Sequence, residues 1–240
     1  SIDQLLVIEN ACAALVMLAF SPLLGGTGGL LRKENLKIHG LRTVLNLIVS
    51  ILVTYSFRQL PMATAYPLFF TIPFFAVLWG LMLYAEKLRL TRMLAIIIGF
   101  AGVIIAMRPG TDSFDINMFA PLSAAAFIAI MFLCTKSLKE PTLFMLAFIP
   151  LAGVGLLCLP VALMDFTPPT LHHLFLFAVT GTCSATGFIA VSLAFRIADS
   201  AAVSPMMYIQ MLWGIFFGFL IFSDMPDFWT LTGAGVIILS

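Results

Sequence analysis

Charged side chains are scarce in this chain of 240 residues: 12 Lys plus Arg and 11 Asp plus Glu make up 10%, against 62% hydrophobic residues and a mean hydropathy of +1.12. Soluble domains carry about a quarter charged residues, so a water-soluble globule is excluded. The same apolar excess excludes a disordered chain. Cysteine is scarce too, with Cys12, Cys134, Cys158 and Cys183 isolated in apolar runs and none in CxxC spacing. That excludes a disulfide-stapled scaffold and reads as small buried hydrophobes rather than a metal site. The net charge is +1 and the bases are spread thinly, so nothing can follow a phosphate backbone and no nucleic acid is expected as partner. Also missing are GxxxxGK[ST], HExxH, GxSxG and an acidic cluster suited to magnesium. No cofactor, metal or catalytic residue is expected.

What the sequence does have is apolar length. Nine runs, covering approximately 4–24, 42–58, 64–85, 93–107, 118–135, 142–163, 171–195, 201–222 and 228–240, are each long enough to span much or all of a hydrocarbon layer as a helix. They are continuously apolar rather than alternating, which favours helices over a barrel. Gly25-Gly26, Gly28-Gly29, Pro109-Gly110 and Pro168-Pro169 break them apart. An all-α integral membrane fold is expected.

Basic residues near span ends stay on the cytoplasmic side. Alternate loops divide them unevenly: Arg32, Lys33, Lys37, Arg42, Lys87, Arg89, Arg92, Lys136, Lys139 and Arg196 in one set, Arg58 and Arg108 in the other. Residues 25–41, 86–92, 136–141 and 196–200 are therefore placed inside, and Asp112, Asp115, Asp165, Asp224 and Asp227 outside.

The sequence also matches itself at an offset of 138: Phe57-Arg58 falls on Phe195-Arg196, Ala63 on Ala201, Pro67 on Pro205, Gly80 on Gly218 and Glu86 on Asp224. Arg58 is outside and Arg196 inside, so the copies insert in opposite senses, as an odd number of helices per copy requires. Two inverted five-helix repeats follow, with nine helices here. The first helix of the first repeat is expected before Ser1, and the last helix is expected to run beyond Ser240. Inverted repeats can exchange conformations around a midplane site, which is the logic of a secondary transporter.

The stretch from Phe57-Arg58-Gln59-Leu60-Pro61 through Thr71-Ile72-Pro73 to Ala85-Glu86-Lys87-Leu88, then Gly102-Val103 and Arg108-Pro109-Gly110, resembles EamA-type members of the drug/metabolite transporter superfamily. Ala201-Ala202-Val203-Ser204-Pro205, Tyr208, Trp213-Gly214, Asp224-Met225-Pro226-Asp227 and Leu231-Thr232-Gly233-Ala234 resemble that family's closing helices. The resemblance implies a ten-helix carrier, with residues 1–110 as the first EamA repeat lacking its opening helix and 118–240 as the second, inverted one. It further implies a multi-pass protein of the bacterial inner membrane with both termini cytoplasmic. The solute would be an amino acid, nucleoside derivative, vitamin or amphipathic cation. The partners are then a small-molecule substrate and the bilayer, with a homodimer left open.

The polar residues placed to meet a solute are Asn46 and Ser50 on one face of the second span, Tyr66 and Phe70 on the third, Thr182 and Thr186 on the seventh, and Ser204 and Tyr208 on the eighth. Under the repeat, Tyr66 pairs with Ser204 and Phe70 with Tyr208, so these i, i+4 pairs would converge on a central pocket. Aromatic walls with neutral hydrogen-bonding groups suit an amphipathic or cationic solute through stacking and cation–π contact. Glu9, inside the first span, is either a proton or cation site for ion coupling or an interfacial residue held by water. Glu86 and Asp224 end their helices where a carboxylate opposes the terminus, which points to a gate or a structural pairing. Pro73 is expected to bend the third span. Arg42 and Arg58 could bind a carboxylate, but at span ends they are expected to snorkel to the interface instead. An integral-membrane enzyme and a non-transporting scaffold are the competing readings. The first lacks a catalytic constellation and the second leaves the inverted repeat unexplained.

Overall fold

The computed structural model describes residues 2–26, 33–60, 65, 68–85, 90–107, 115–164, 168–207, 213, 217, 220 and 228–239. Among these, nine α-helices follow one another: α1 (Ile2–Ala19), α2 (Lys33–Gln59), α3 (Ile72–Tyr84), α4 (Leu90–Met107), α5 (Phe119–Leu133), α6 (Leu143–Met164), α7 (Leu171–Ile197), α8 (Ser200–Met207) and α9 (Phe228–Leu239). Each overlaps one of the nine apolar runs. The helices close their own backbone hydrogen bonds, as apolar surroundings require. Asn35–Gln59, Ile116–Ser137, Leu143–Pro160 and Leu171–Ile197 are long and apolar enough to cross a membrane, and Leu6–Ala19 and Ile72–Tyr84 are shorter apolar helices.

Two boundaries depart from the sequence reading. α2 starts at Lys33 rather than near residue 42, because the polar stretch 33–41 is helical as well. The third run does not bend at Pro73 but breaks. The chain is helical at Leu68-Phe69, turns at Phe70-Thr71 and restarts at Ile72. The Thr71 main-chain N–H and Oγ1 both donate to the Leu68 carbonyl, at 3.2 and 2.7 Å. Pro73 then sits in the first turn of α3, where a missing N–H leaves no helical bond unmade.

The chain divides into two compact units: Ser1–Ser50 with Cys134–Ile197, and Ile51–Leu133 with Ala198–Ser240. In the first unit α1 packs against α6 and α7, and α6 against α7. The core is Ala13, Met17, Phe144, Ala147, Leu151 and Ala185, half of it alanine. Small side chains let helices approach closely where lipid supplies no hydrophobic drive to pack them. At Gly181 a Cβ would lie 2.8 Å from the Ala13 amide nitrogen and 3.0 Å from the Glu9 carbonyl oxygen, so α7 crosses α1 almost backbone to backbone. A Cβ at Gly153 of α6 would likewise collide with Thr43 of α2. After α1 the chain reverses through Gly25 and Gly26, at φ +92° and +71°, a conformation that favours glycine. The reversal is tied to α6 by Phe144 N–H donating to the Leu24 carbonyl at 3.1 Å.

In the second unit α3 packs on α5 and α8, and α4 on α9. Here aromatic rings make the contacts. Phe74 stacks on Phe100 at 4.9 Å, and Trp79 Nε1 donates to the Ala126 carbonyl at 3.2 Å. Tyr55 donates its hydroxyl to Asn117 Oδ1 at 2.7 Å, and Asp115 caps that turn by accepting from Asn117 N–H.

Because the two nearest atoms facing Gly181 are main chain, they cannot step aside. Gly181→Val is expected to destabilise the protein by about 1–3 kcal/mol, whereas Gly187→Ala, with nothing within 4 Å of the added carbon, is expected to cost nothing. Thermal unfolding in detergent micelles, followed by size exclusion, checks the pair.

Candidate functional site

The break before α3 opens a cavity of about 180 Å³ in the second unit. Phe57 from α2, Phe69, Phe70 and Pro73 around the break, Ile128 from α5 and Met207 from α8 are among its walls. Phe57 and Phe69 face each other at 5.6 Å between ring centroids. Thr71 takes up the Leu68 carbonyl at the break, and the walls of the cavity are mainly rings and aliphatic carbon with one thioether, that of Met207. Such a lining holds a flat, polarisable or cationic guest by stacking, cation–π and sulfur contacts.

Of the solute-contact residues expected from sequence, Phe70 lies in this cavity, buried, with Pro73 beside it. Tyr66, Tyr208, Glu86 and Asp224 lie outside the described residues, as does the side chain of Ser204 in α8. The remaining ones belong to the first unit. Ser50 is half-buried on α2. Thr182 and Thr186 are exposed, and their hydroxyls donate back along α7 to the carbonyls of Ala178 and Thr182, at 2.7 and 2.8 Å. Glu9 is half-buried and accepts a hydrogen bond of 3.1 Å from Ser184 Oγ of α7.

Asn46 is buried and belongs to a larger arrangement. Asn35, His39, Arg42 and Asn46 occupy one face of α2 at spacings of four, three and four residues, and all four are buried. Three of them grip the main chain of α6 and its preceding turn. Asn35 Nδ2 donates to the Lys139 carbonyl at 2.8 Å while Lys139 N–H donates back to Asn35 Oδ1 at 2.9 Å. Arg42 Nη2 donates to the Leu146 carbonyl at 2.8 Å, and Asn46 Nδ2 to the Pro150 carbonyl at 3.2 Å. Each partner lies 104 residues further on, so α2 and α6 run side by side in the same sense.

Pro150 is the reason for the central rung. It has no N–H, so it leaves the carbonyl four residues earlier, that of Leu146, without its helical donor. Arg42 supplies one. The same Nη2 also donates to Ser192 Oγ of α7 at 3.2 Å, and the guanidinium lies 5.8 Å from the ring centroid of Phe188.

Arg42 is the residue that sequence reasoning misplaced. It does not snorkel: it is 0% exposed. The cause is the early start of α2, which puts Arg42 nine residues, about 13 Å, inside the helix rather than at its end. Arg58, in the last turn, is exposed as expected. The signal that would have found Arg42 was present in the Asn35, His39, Arg42, Asn46 spacing, combined with an unpaired proline in the sixth span.

Residues 3–108 match the EamA-like transporter family. Over that stretch the chain is similar to members of that family. An S-adenosylmethionine uptake transporter of Rickettsia bellii is 26% identical over 202 residues, covering 84% of this chain and 69% of its own. A riboflavin transporter of Vibrio cholerae is 27% identical over 240 residues, covering 98% and 79%. A pseudopaline exporter of Pseudomonas aeruginosa is 23% identical over 216 residues, covering 89% and 76%. A solved crystal structure shares the fold, with a TM-score of 0.72 over 98% of this chain and 84% of its own at 14% identity. With four helices long and apolar enough to cross a membrane among the described residues, the chain is a multi-pass membrane protein, similar over most of its length to transporters of small metabolites.

If Arg42 serves the carbonyl that Pro150 strands, the two residues are energetically coupled. Arg42→Ala is expected to destabilise by about 1–3 kcal/mol for the unpaired carbonyl alone. In a Pro150→Ala background, where residue 150 regains its N–H, the same change should cost about 1 kcal/mol less. A thermal double-mutant cycle measures this, and equal costs in both backgrounds would disconnect Arg42 from that carbonyl.

Proposed function

We propose that this chain carries a small organic solute with a flat, π-rich or cationic part across the bacterial inner membrane, by alternating access of two inverted repeats, 1–110 and 118–240. The observation that carries the solute class is the cavity at the α3 break, walled by Phe57, Phe69, Phe70 and Met207. The relatives fit it: S-adenosylmethionine is a sulfonium bearing adenine, and riboflavin carries a planar tricyclic ring. Discontinuous helices recur at solute sites because an interrupted backbone is tolerated only beside protein or a cavity.

Helix register supports the repeat. α2 (Lys33–Gln59) and α7 (Leu171–Ile197) are both 27 residues long and coincide end to end at the offset of 138. α4 and α9 begin at Leu90 and Phe228, again 138 apart. Asn46 and Ser184 are repeat equivalents, and each reaches a neighbouring helix, Pro150 on α6 and Glu9 on α1. The basic-loop count supports cytoplasmic termini. In agreement with it, Asn35, Lys139 and Arg196 gather at one end of the first unit, where Arg196 Nη1 donates to the Leu138 carbonyl at 3.5 Å.

Counterflow in proteoliposomes tests the solute class with S-adenosylmethionine and riboflavin as probes. Saturable flux of at least one, without chemical change, is expected. Phe70→Ala should lower it about tenfold or more while Phe70→Tyr retains it, since one buried aromatic contact is worth that much. Wild-type flux of neither solute, or a modified product, would refute the assignment. For coupling, Glu9→Gln is expected to abolish gradient-driven accumulation and spare exchange; unchanged accumulation would remove Glu9 from that role.

A further inference from the structure

Arg42 does more than its structural task requires. Asn35 and Asn46 hold main-chain groups of the same neighbour with neutral amides, so gripping α6 does not in itself call for a charge. A buried charge costs several kcal/mol in such surroundings unless something pays it back. Among the described residues of the first unit nothing does so. Nη2 is spent on Leu146 and Ser192, while Nε and Nη1 are buried without hydrogen-bond partners. Among the described residues, His39 and Cys134 are titratable neighbours that the guanidinium acts on, and neither is a carboxylate. Glu9 is held by Ser184, and Arg42 by Ser192, eight residues away on α7. At 1.5 Å per residue that is about 12 Å, too far for an ion pair.

One turn before Arg42, His39 is 2% exposed, and both its ring nitrogens are also buried without partners. The guanidinium has three N–H groups to spare on Nε and Nη1, and a neutral imidazole adds one. Four donors and a single positive charge match a carboxylate, which has about four acceptor positions and one negative charge. A phosphate monoester, carrying about −1.5 to −2 at neutral pH, would leave uncompensated negative charge buried.

We propose that Arg42 and His39 form a binding site for the carboxylate of a transported solute. The transported origin of that carboxylate rests on the carrier reading above; the site itself does not.

The test is acetate binding to the full chain in phosphatidylcholine nanodiscs, which contain no anionic lipid, measured by saturation-transfer NMR. Saturable binding is expected, weakened about tenfold or more by Arg42→Gln, which keeps an amide donor on that face of α2 but loses the charge, and about threefold by His39→Gln. Inorganic phosphate should displace acetate poorly. If Arg42→Gln does not fold, His39→Gln decides. Absence of wild-type binding, binding untouched by these substitutions, or phosphate competing as well as acetate itself would each overturn the proposal. A wild type that transports but binds no acetate sinks this site alone, whereas one that binds acetate but moves no solute sinks the carrier reading instead.

Discussion

The first unit depends on a carbonyl that its own helix cannot satisfy. Pro150 interrupts α6 without ending it, and the stranded Leu146 oxygen is met by Arg42 from α2. In water such an oxygen would simply be hydrated. In an apolar environment it must be met by protein, so the proline dictates that a long donor stand opposite it. The consequences spread from there. To reach Leu146 in register, α2 runs alongside α6 in the same sense, with Asn35 and Asn46 making the flanking rungs. The helices come close enough for Gly153 to be needed where Thr43 presses on α6.

The two units are held by different means, and the difference bears on function. In the first, backbones nearly touch at Gly181 and Gly153, and polar side chains are fastened to main-chain carbonyls, an arrangement that allows few alternatives. In the second, ring contacts such as that of Phe74 with Phe100 stand beside the Trp79 and Tyr55 hydrogen bonds, and a broken helix leaves space. Rings can slide and restack at little cost because their contacts are broad and weakly directional, whereas a hydrogen bond from Asn46 to a carbonyl is lost over a few tenths of an ångström. A changing guest is better accommodated among the rings.

Much of the fold was legible because membrane spans are written in composition. Nine apolar runs became nine helices among the described residues, and the glycine reversal at Gly25-Gly26 fell where breakers were expected. What hydropathy hid was the polar start of α2: residues 33–41 look like loop, since an average over a window cannot tell a loop from a helix whose polar face is gripped by protein. That one shift moved Arg42 from a span end to the interior. The Pro73 break was legible as an interruption but not as a restart, because whether a proline bends a helix or begins one depends on whether residues before it turn, and Phe70-Thr71 do. Periodicity marked Phe70, which lines the cavity. On α7 the same i, i+4 spacing also runs through Ser184, Phe188 and Ser192, and only packing distinguishes that face from the one bearing Thr182 and Thr186.

That face of α7 explains how one helix can keep two opposite charges apart. Ser184 holds Glu9 and Ser192 holds Arg42, while Phe188, midway between them, lies against the guanidinium. Had the carboxylate been one or two turns nearer, the pair would have closed into a salt bridge, and neither group would have been open to anything else. Separation by two turns, with a ring interposed, keeps each charge bound to the protein by neutral groups alone. Neutral hydrogen bonds orient a charge without neutralising it, so the electrostatic demand of both groups survives folding. In a chain with so few charges, a carboxylate and a guanidinium held in this way are fixed in position with no counter-ion among the described residues.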